Sequence, residues 1–259
     1  MKMKVLKYII GVALALSASS CSHISDDERL IYVPPVEVNR AVLIEDFTGQ
    51  RCLNCPNATD EISRLQAQYG EDKVIAVGIH SGPLALFTND RFVGLRTETG
   101  DEYFNYWNPE HQPIGVVNRH GLSDYVSWSS LIRTELQKKA AVGITIEVSA
   151  DDGQLTVKTT VTGVRGNTVA KLQLWLTENN IKAFQMMPDG SRDDNYVHNH
   201  VFRAAVNGTW GEAISVREGE TVAKEHTMLL HSDWNADNLS VVAFVYDDTG
   251  VIQVTYVQL

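Results

Sequence analysis

The sequence predicts a small α/β domain followed by an all-β sandwich. Two observations divide the chain. Between residues 40 and 141, short apolar runs alternate with amphipathic stretches, the grammar of strands crossed by helices. Beyond residue 141, apolar and polar residues alternate strictly between Asp, Asn and Gly turns, with no helical period. A third observation gives the first part its interest: Cys52 and Cys55 stand three apart where the first strand meets the first helix. With 259 residues and 44% apolar content, the chain can fill two cores.

Residues 1–20 read as a secretory signal. Lys2, Lys4 and Lys7 precede an apolar stretch from Tyr8 to Leu16, too short to span a bilayer, and small residues then run into Cys21. That junction resembles a bacterial lipobox, which implies cleavage before Cys21, acyl chains on that cysteine and attachment to a membrane through lipid. Residues 21–39 form an acidic tether, "SHISDDERL" then "VPPV", the prolines imposing an extended path. An acidic tract behind a lipidated cysteine is similar to the surface-export tag of Bacteroidetes-type lipoproteins.

In the domain over 40–141, "AVLIEDF" (41–47) reads as a buried parallel strand. From Asn54 to Tyr69, Ile62 and Leu65 among Glu61, Arg64 and Gln68 give an amphipathic helix stopped by Gly70. "KVIAVGIHSG" (73–82) is a second buried strand, and residues 89–107 carry helical stretches interrupted by glycines. "QPIGVVNRHG" (112–121) is a proline-initiated strand and turn, and 124–141 a helix with a basic last turn. Over 142–259, "VGITIEVSAD", "QLTVKTTVTG", "AKLQLWLTEN", "EHTMLL" and the closing run alternate as sandwich strands, with a hairpin at "YDDTGV" (246–251). This strand pattern predicts an immunoglobulin-like sandwich.

The cysteine pair admits three chemistries. A helix start and the neighbouring Arg51 would favour a thiolate at Cys52, with Cys55 resolving the mixed disulfide. A static disulfide stapling the helix start is the rival. A structural zinc is the weakest, since about four N/S ligands are needed and no second pair exists. His80 ends the second strand, where it is a candidate base or gate, although a capped loop histidine explains it as well. His198 and His200 would share one strand face, the minimum for two metal ligands, although a polar loop accounts for them too. Trp210 and Trp234 read as sandwich aromatics. No phosphate loop, Ser/His/Asp elbow or paired-carboxylate site occurs, and no cofactor is implied. The net charge of -10 becomes -13 without the three lysines of the signal, which argues against a nucleic-acid partner.

Two resemblances add to this. "EDF" before the cysteines and Pro113 after them resemble thioredoxins, which implies that Asp46 lies beneath the cysteines as proton acceptor and that Pro113 is a cis-proline facing them. The chain departs from that pattern at Arg51, Leu53, Asn54 and Gln112, which leaves the direction of any redox activity open. Together, "VLIEDFTGQRCLNCPNA", "VIAVGIHSG", "QPIGVVNRHG" and "HNHVFRAAVNGTWGE" resemble the Bacteroidetes-type 28-kDa outer membrane lipoprotein family. Membership implies an outer-membrane lipoprotein with a thioredoxin-like domain followed by an immunoglobulin-like one; the acidic tether adds a surface-facing position. The family supplies no reaction. The spacing of Asp46, the cysteines and Pro113 predicts thiol–disulfide exchange at an exposed cysteine pair, and the rival is non-enzymatic adhesion to a host ligand or protein partner.

Overall fold

Strand β1 (Val42–Thr48) is buried along its whole length because both of its faces are covered. The computed structural model describes residues 38–259, so the signal, Cys21 and the tether up to residue 37 lie outside the described residues. After β1 come α1 (Cys55–Tyr69), β2 (Val74–His80), α2 (Glu98–Trp107), β3 (Ile114–Val117), β4 (Leu122–Ser123) and α3 (Tyr125–Leu136). Val42 and Ile44 of β1 and Val74 and Ala76 of β2 pack on Ile62 and Leu65 of α1 and on Trp128 and Ile132 of α3. Leu43, Phe47, Ile75, Val77 and Ile79 point the other way, towards Tyr103 of α2. The period of two fixes which side chains meet which helix: Asp46 and His80 fall on the α1 side, Glu45 on the α2 side.

Helix α1 stops where the sequence placed its stop: Gly70 takes φ 100° and its N–H bonds Gln66 O at 2.8 Å. Helix α2 is shorter than the 89–107 pattern. It starts only at Glu98, where Thr97 Oγ1 accepts from Gly100 N at 3.0 Å, and it ends at Asn108 in a left-handed conformation.

From residue 142 the described chain is built of strands: β5 (Val142–Asp151), β6 (Gln154–Gly163), β7 (Thr168–Glu178), β8 (Ile181–Lys182), β9 (Gln185–Met186), β10 (Arg192–Asp193), β11 (Val197–His198), β12 (Val201–Ala205), β13 (Glu212–Val216), β14 (Thr221–Leu229), β15 (Leu239–Asp247) and β16 (Gly250–Gln258). They do not all gather in sheets of their own. The main sheet runs β16-β15-β7-β12-β2-β1-β3-β4, with β13 also on β7, so strands from both sides of residue 142 share it. The link is β12, parallel to β2 through Val201 and Gly78. A three-stranded sheet, β14-β6-β5, lies across it as a sandwich layer, Leu155, Val157 and Val161 meeting Leu172, Leu174, Val241 and Val245. The opposite face of β7 and β15 presents Trp175, Val242 and Phe244 to the α2-side core. Both faces of β7 are therefore covered, and Gln173, an apparent solvent position in the alternating pattern, is buried with its amide donating to Gly208 O at 2.8 Å.

Candidate functional site: a covered disulfide

The loop from Thr48 to Asn54 turns β1 into α1 in very little space. A Cβ at Gly49 would lie 2.6 Å from the Leu84 carbonyl, so only glycine fits there. Arg51 N donates to Leu84 O at 2.9 Å and Cys52 N to Gly49 O at 3.0 Å. Asn54 is the N-cap residue and Cys55 opens α1, followed by Pro56, which suits a first turn that leaves its N–H groups unbonded.

Cys52 and Cys55 form a disulfide with Cα atoms 5.5 Å apart. The expectation of an exposed pair is corrected: the cysteines are 2% and 1% exposed. Their cover is supplied by residues 179–200, which lead from β7 to β12. Gln185 Nε2 donates to Cys52 O at 2.8 Å, and Met186 N donates to Gln50 O at 2.9 Å. Gln50 is itself buried, its amide nitrogen bonding Val93 O at 2.9 Å and its oxygen accepting from Leu95 N at 3.1 Å. Periodicity gave no sign of Gln50 or Gln185, because each acts by bonding backbone far away in sequence.

Beneath the disulfide lies a cavity of about 70 Å³ lined by Asp46, Cys55, His80, Tyr196, His198 and His200. Its lining mixes carboxyl, imidazole and hydroxyl groups with Pro56, Ile62 and Ala76, and it is large enough for water. Asp46 sits between Gly78 of β2 and Gly115 of β3, and its Oδ1 has no hydrogen-bond partner among the described residues. Burial pushes its carboxyl up to about 7. His80 is not a capped loop residue. It is the buried last residue of β2, neither ring nitrogen makes a hydrogen bond of ordinary geometry, and its ring meets that of His198 edge-on at 5.2 Å. Burial, and then the neighbouring His198, holds its pKa well below the usual value. Burial brings His198 to about 4, against a smaller opposing effect of the Phe184 and Ala183 backbone. His200 lines the same cavity, but not from one strand face with His198: β11 ends at His198, and His200 takes φ 55°, which turns the chain out of the extended conformation. Among the described residues no group of three or more His, Cys, Asp or Glu side chains is placed to hold a metal ion.

The Gln112–Pro113 peptide bond is cis and Pro113 is buried. The unusual Gln112 ties together the ends of β1 and β2, its amide donating to Thr48 O at 2.9 Å and to Ser81 O at 3.1 Å. Arg51 is exposed and lines an outer hollow with Leu53, Phe184 and Arg192.

No helix among the described residues is long and apolar enough to cross a membrane. Residues 100–259 match the family model of outer membrane protein Omp28. Among solved structures, the chain is similar in fold to HBP35 of Porphyromonas gingivalis, at 16% identity and a TM-score of 0.67, covering 85% of this chain and 76% of that one. A domain of the outer membrane lipoprotein Omp28 from Porphyromonas gingivalis is 27% identical, with a TM-score of 0.34, covering 46% of this chain and 88% of that one. A search of curated proteins returns no match. Since the family match takes in more than half of the sequence, the chain belongs to the Omp28 family of outer membrane proteins.

Proposed function

We propose that the chain is a surface-facing lipoprotein anchored by acyl chains on Cys21. It carries a thioredoxin-like domain over 40–141 and an immunoglobulin-like one over 142–259, and its Cys52–Cys55 disulfide exchanges with the thiols of protein substrates. One observation carries the redox reading: a carboxyl raised to about 7, that of Asp46, opens onto the same cavity as Cys55. A substrate thiolate attacks Cys52 Sγ, the Cys52–Cys55 bond breaks, and Cys55 leaves as a thiolate that takes the proton held by Asp46. A second substrate thiol then attacks the mixed disulfide, so the substrate leaves oxidised and the protein keeps two thiols. Asp46 ionised takes the proton back in the reverse direction. Pro113 forms part of the substrate-facing wall, and Arg51 and His80 are accessory groups. Attack on Cys52 requires the cover at Gln185 to open.

The burial of both sulfurs favours a second reading, in which the disulfide is static and the protein binds a host ligand or protein partner without catalysis. The reduction potential of the couple separates the two. A value between about -120 and -270 mV supports exchange, and one below about -300 mV supports the static disulfide. Insulin reduction is expected to be lost in Cys52→Ser, and equal rates in wild type and variant would refute the catalytic reading.

A further inference from the structure

Away from the cysteines, an open cleft of about 690 Å³ lies where α2 meets the strands of the C-terminal half. Its size falls within the range of about 300–1,000 Å³ usual for small-molecule sites. Four aromatic side chains line it beside the small aliphatic Val169, Ala170 and Ala213. Tyr106, on α2, is 64% exposed, and its ring lies 5.2 Å from that of Trp107 and 4.7 Å from that of Trp210. Tyr246 completes the wall, its hydroxyl donating to Trp210 O at 2.8 Å. An exposed tyrosine packed on two tryptophan rings is costly to leave in water and is a flat surface held in place.

A charged group is built into the same place. Asn118 and Arg119 both take positive φ, 48° and 60°, in the turn after β3, which sends the Arg119 side chain back among the rings. Its guanidinium carbon stands 4.1 Å from the Tyr246 ring centre and 5.9 Å from that of Trp210. Glu45 takes its Nε at 2.9 Å, while Nη2, with the Tyr246 hydroxyl nearby, makes no hydrogen bond of ordinary geometry among the described residues. Lys171, Asp247 and Asp248 stand at the rim.

We infer that this cleft is a binding site for a neutral saccharide. The accessible rim carries one cation, Lys171, and two carboxylates, Asp247 and Asp248, while the buried Arg119 charge is answered by Glu45 at 2.9 Å. A polyanion would meet the carboxylates, and a cation would meet Lys171. A pyranose fits both features at once. Its C–H face packs on the electron-rich faces of Tyr106 and Trp210, and its hydroxyls donate to Asp247 and Asp248 while accepting from Lys171 Nζ at the rim. The site is independent of the disulfide and of the redox reading.

The test is a glycan array carrying neutral, uronate-bearing and sialate-bearing oligosaccharides, probed with the full mature protein. Calorimetric titration with the strongest neutral binder follows. Binding to a neutral oligosaccharide is expected, weakened about tenfold by Tyr106→Ala or Asp248→Asn. Both residues are exposed, so both variants are expected to keep the wild-type melting curve. The inference is overturned by binding confined to acidic glycans, by no binding to any neutral glycan, or by unchanged affinity in both variants.

Discussion

Replacing Asp46 with asparagine tests the electrostatics beneath the cysteines directly. Asp46 is 2% exposed, and burial lifts its carboxyl from 3.8 to about 7. A carboxyl raised on folding favours the folded state at low pH. It costs stability as pH climbs past 3.8, and the cost is complete above about 7. A shift of about three units at about 1.36 kcal/mol each gives roughly 4 kcal/mol of stability surrendered by pH 8. Asparagine has the same shape and no charge to desolvate, so its own packing and hydrogen-bond cost does not vary with pH. Urea unfolding of oxidised wild type and Asp46→Asn at pH 4 and pH 8 should show the variant gaining about 4 kcal/mol on wild type over that interval. Parallel profiles, with a gain under about 1 kcal/mol, would mean that the carboxyl is solvated and that its place beneath the cysteines is wrong.

Gln185→Leu removes the amide that bonds Cys52 O, and should speed reduction of the disulfide by dithiothreitol about tenfold, read by alkylation of the released thiols. His198 has the opposite sign to Asp46: with its folded pKa at about 4 against 6.5, stability is lost as pH falls between those values. His198→Phe should therefore gain about 3 kcal/mol on wild type between pH 7.5 and pH 4 in unfolding titrations. Gly115→Ala would place a Cβ 2.5 Å from Trp128 Cζ2 and 2.9 Å from Glu45 O, and should cost about 1–3 kcal/mol in thermal melts.

The elements that sequence patterning recovered best are those with two covered faces or a clear stop. "AVLIEDF" and "KVIAVGIHSG" became β1 and β2, α1 ended at Gly70, and the 246–251 hairpin joined β15 to β16. The change from helix-bearing segments to strands near residue 142 was legible too, but not that strands from both sides of it share one sheet. What was not legible is non-local. Cys52 is shielded by Gln185, 133 positions away, in a segment whose two-residue strands carry no periodicity. His198 and His200 look like strand neighbours in the sequence, and only the backbone at His200 reveals that they are not. The cavity beneath the cysteines unites residues from β1, α1, β2 and the 179–200 segment, a union that depends on β12 joining β2. The aromatic cleft was hidden likewise, because Tyr106, Arg119, Trp210 and Tyr246 come from four separate elements or loops.

The single-residue seam between Val201 and Gly78 has a consequence for reactivity. The segment above the cysteines is pinned at one end by β7 and at the other by β12, both strands of the sheet that also carries β1. It cannot swing off as a hinged flap; it can only buckle outwards as a loop with both ends fixed, at the cost of the bonds made by Gln185 and Met186. The rate at which the sulfurs meet solvent is then an inherited property of distant strands. A packing defect at Trp175 or Phe202, in the core beneath that seam, would loosen the disulfide without touching a cysteine.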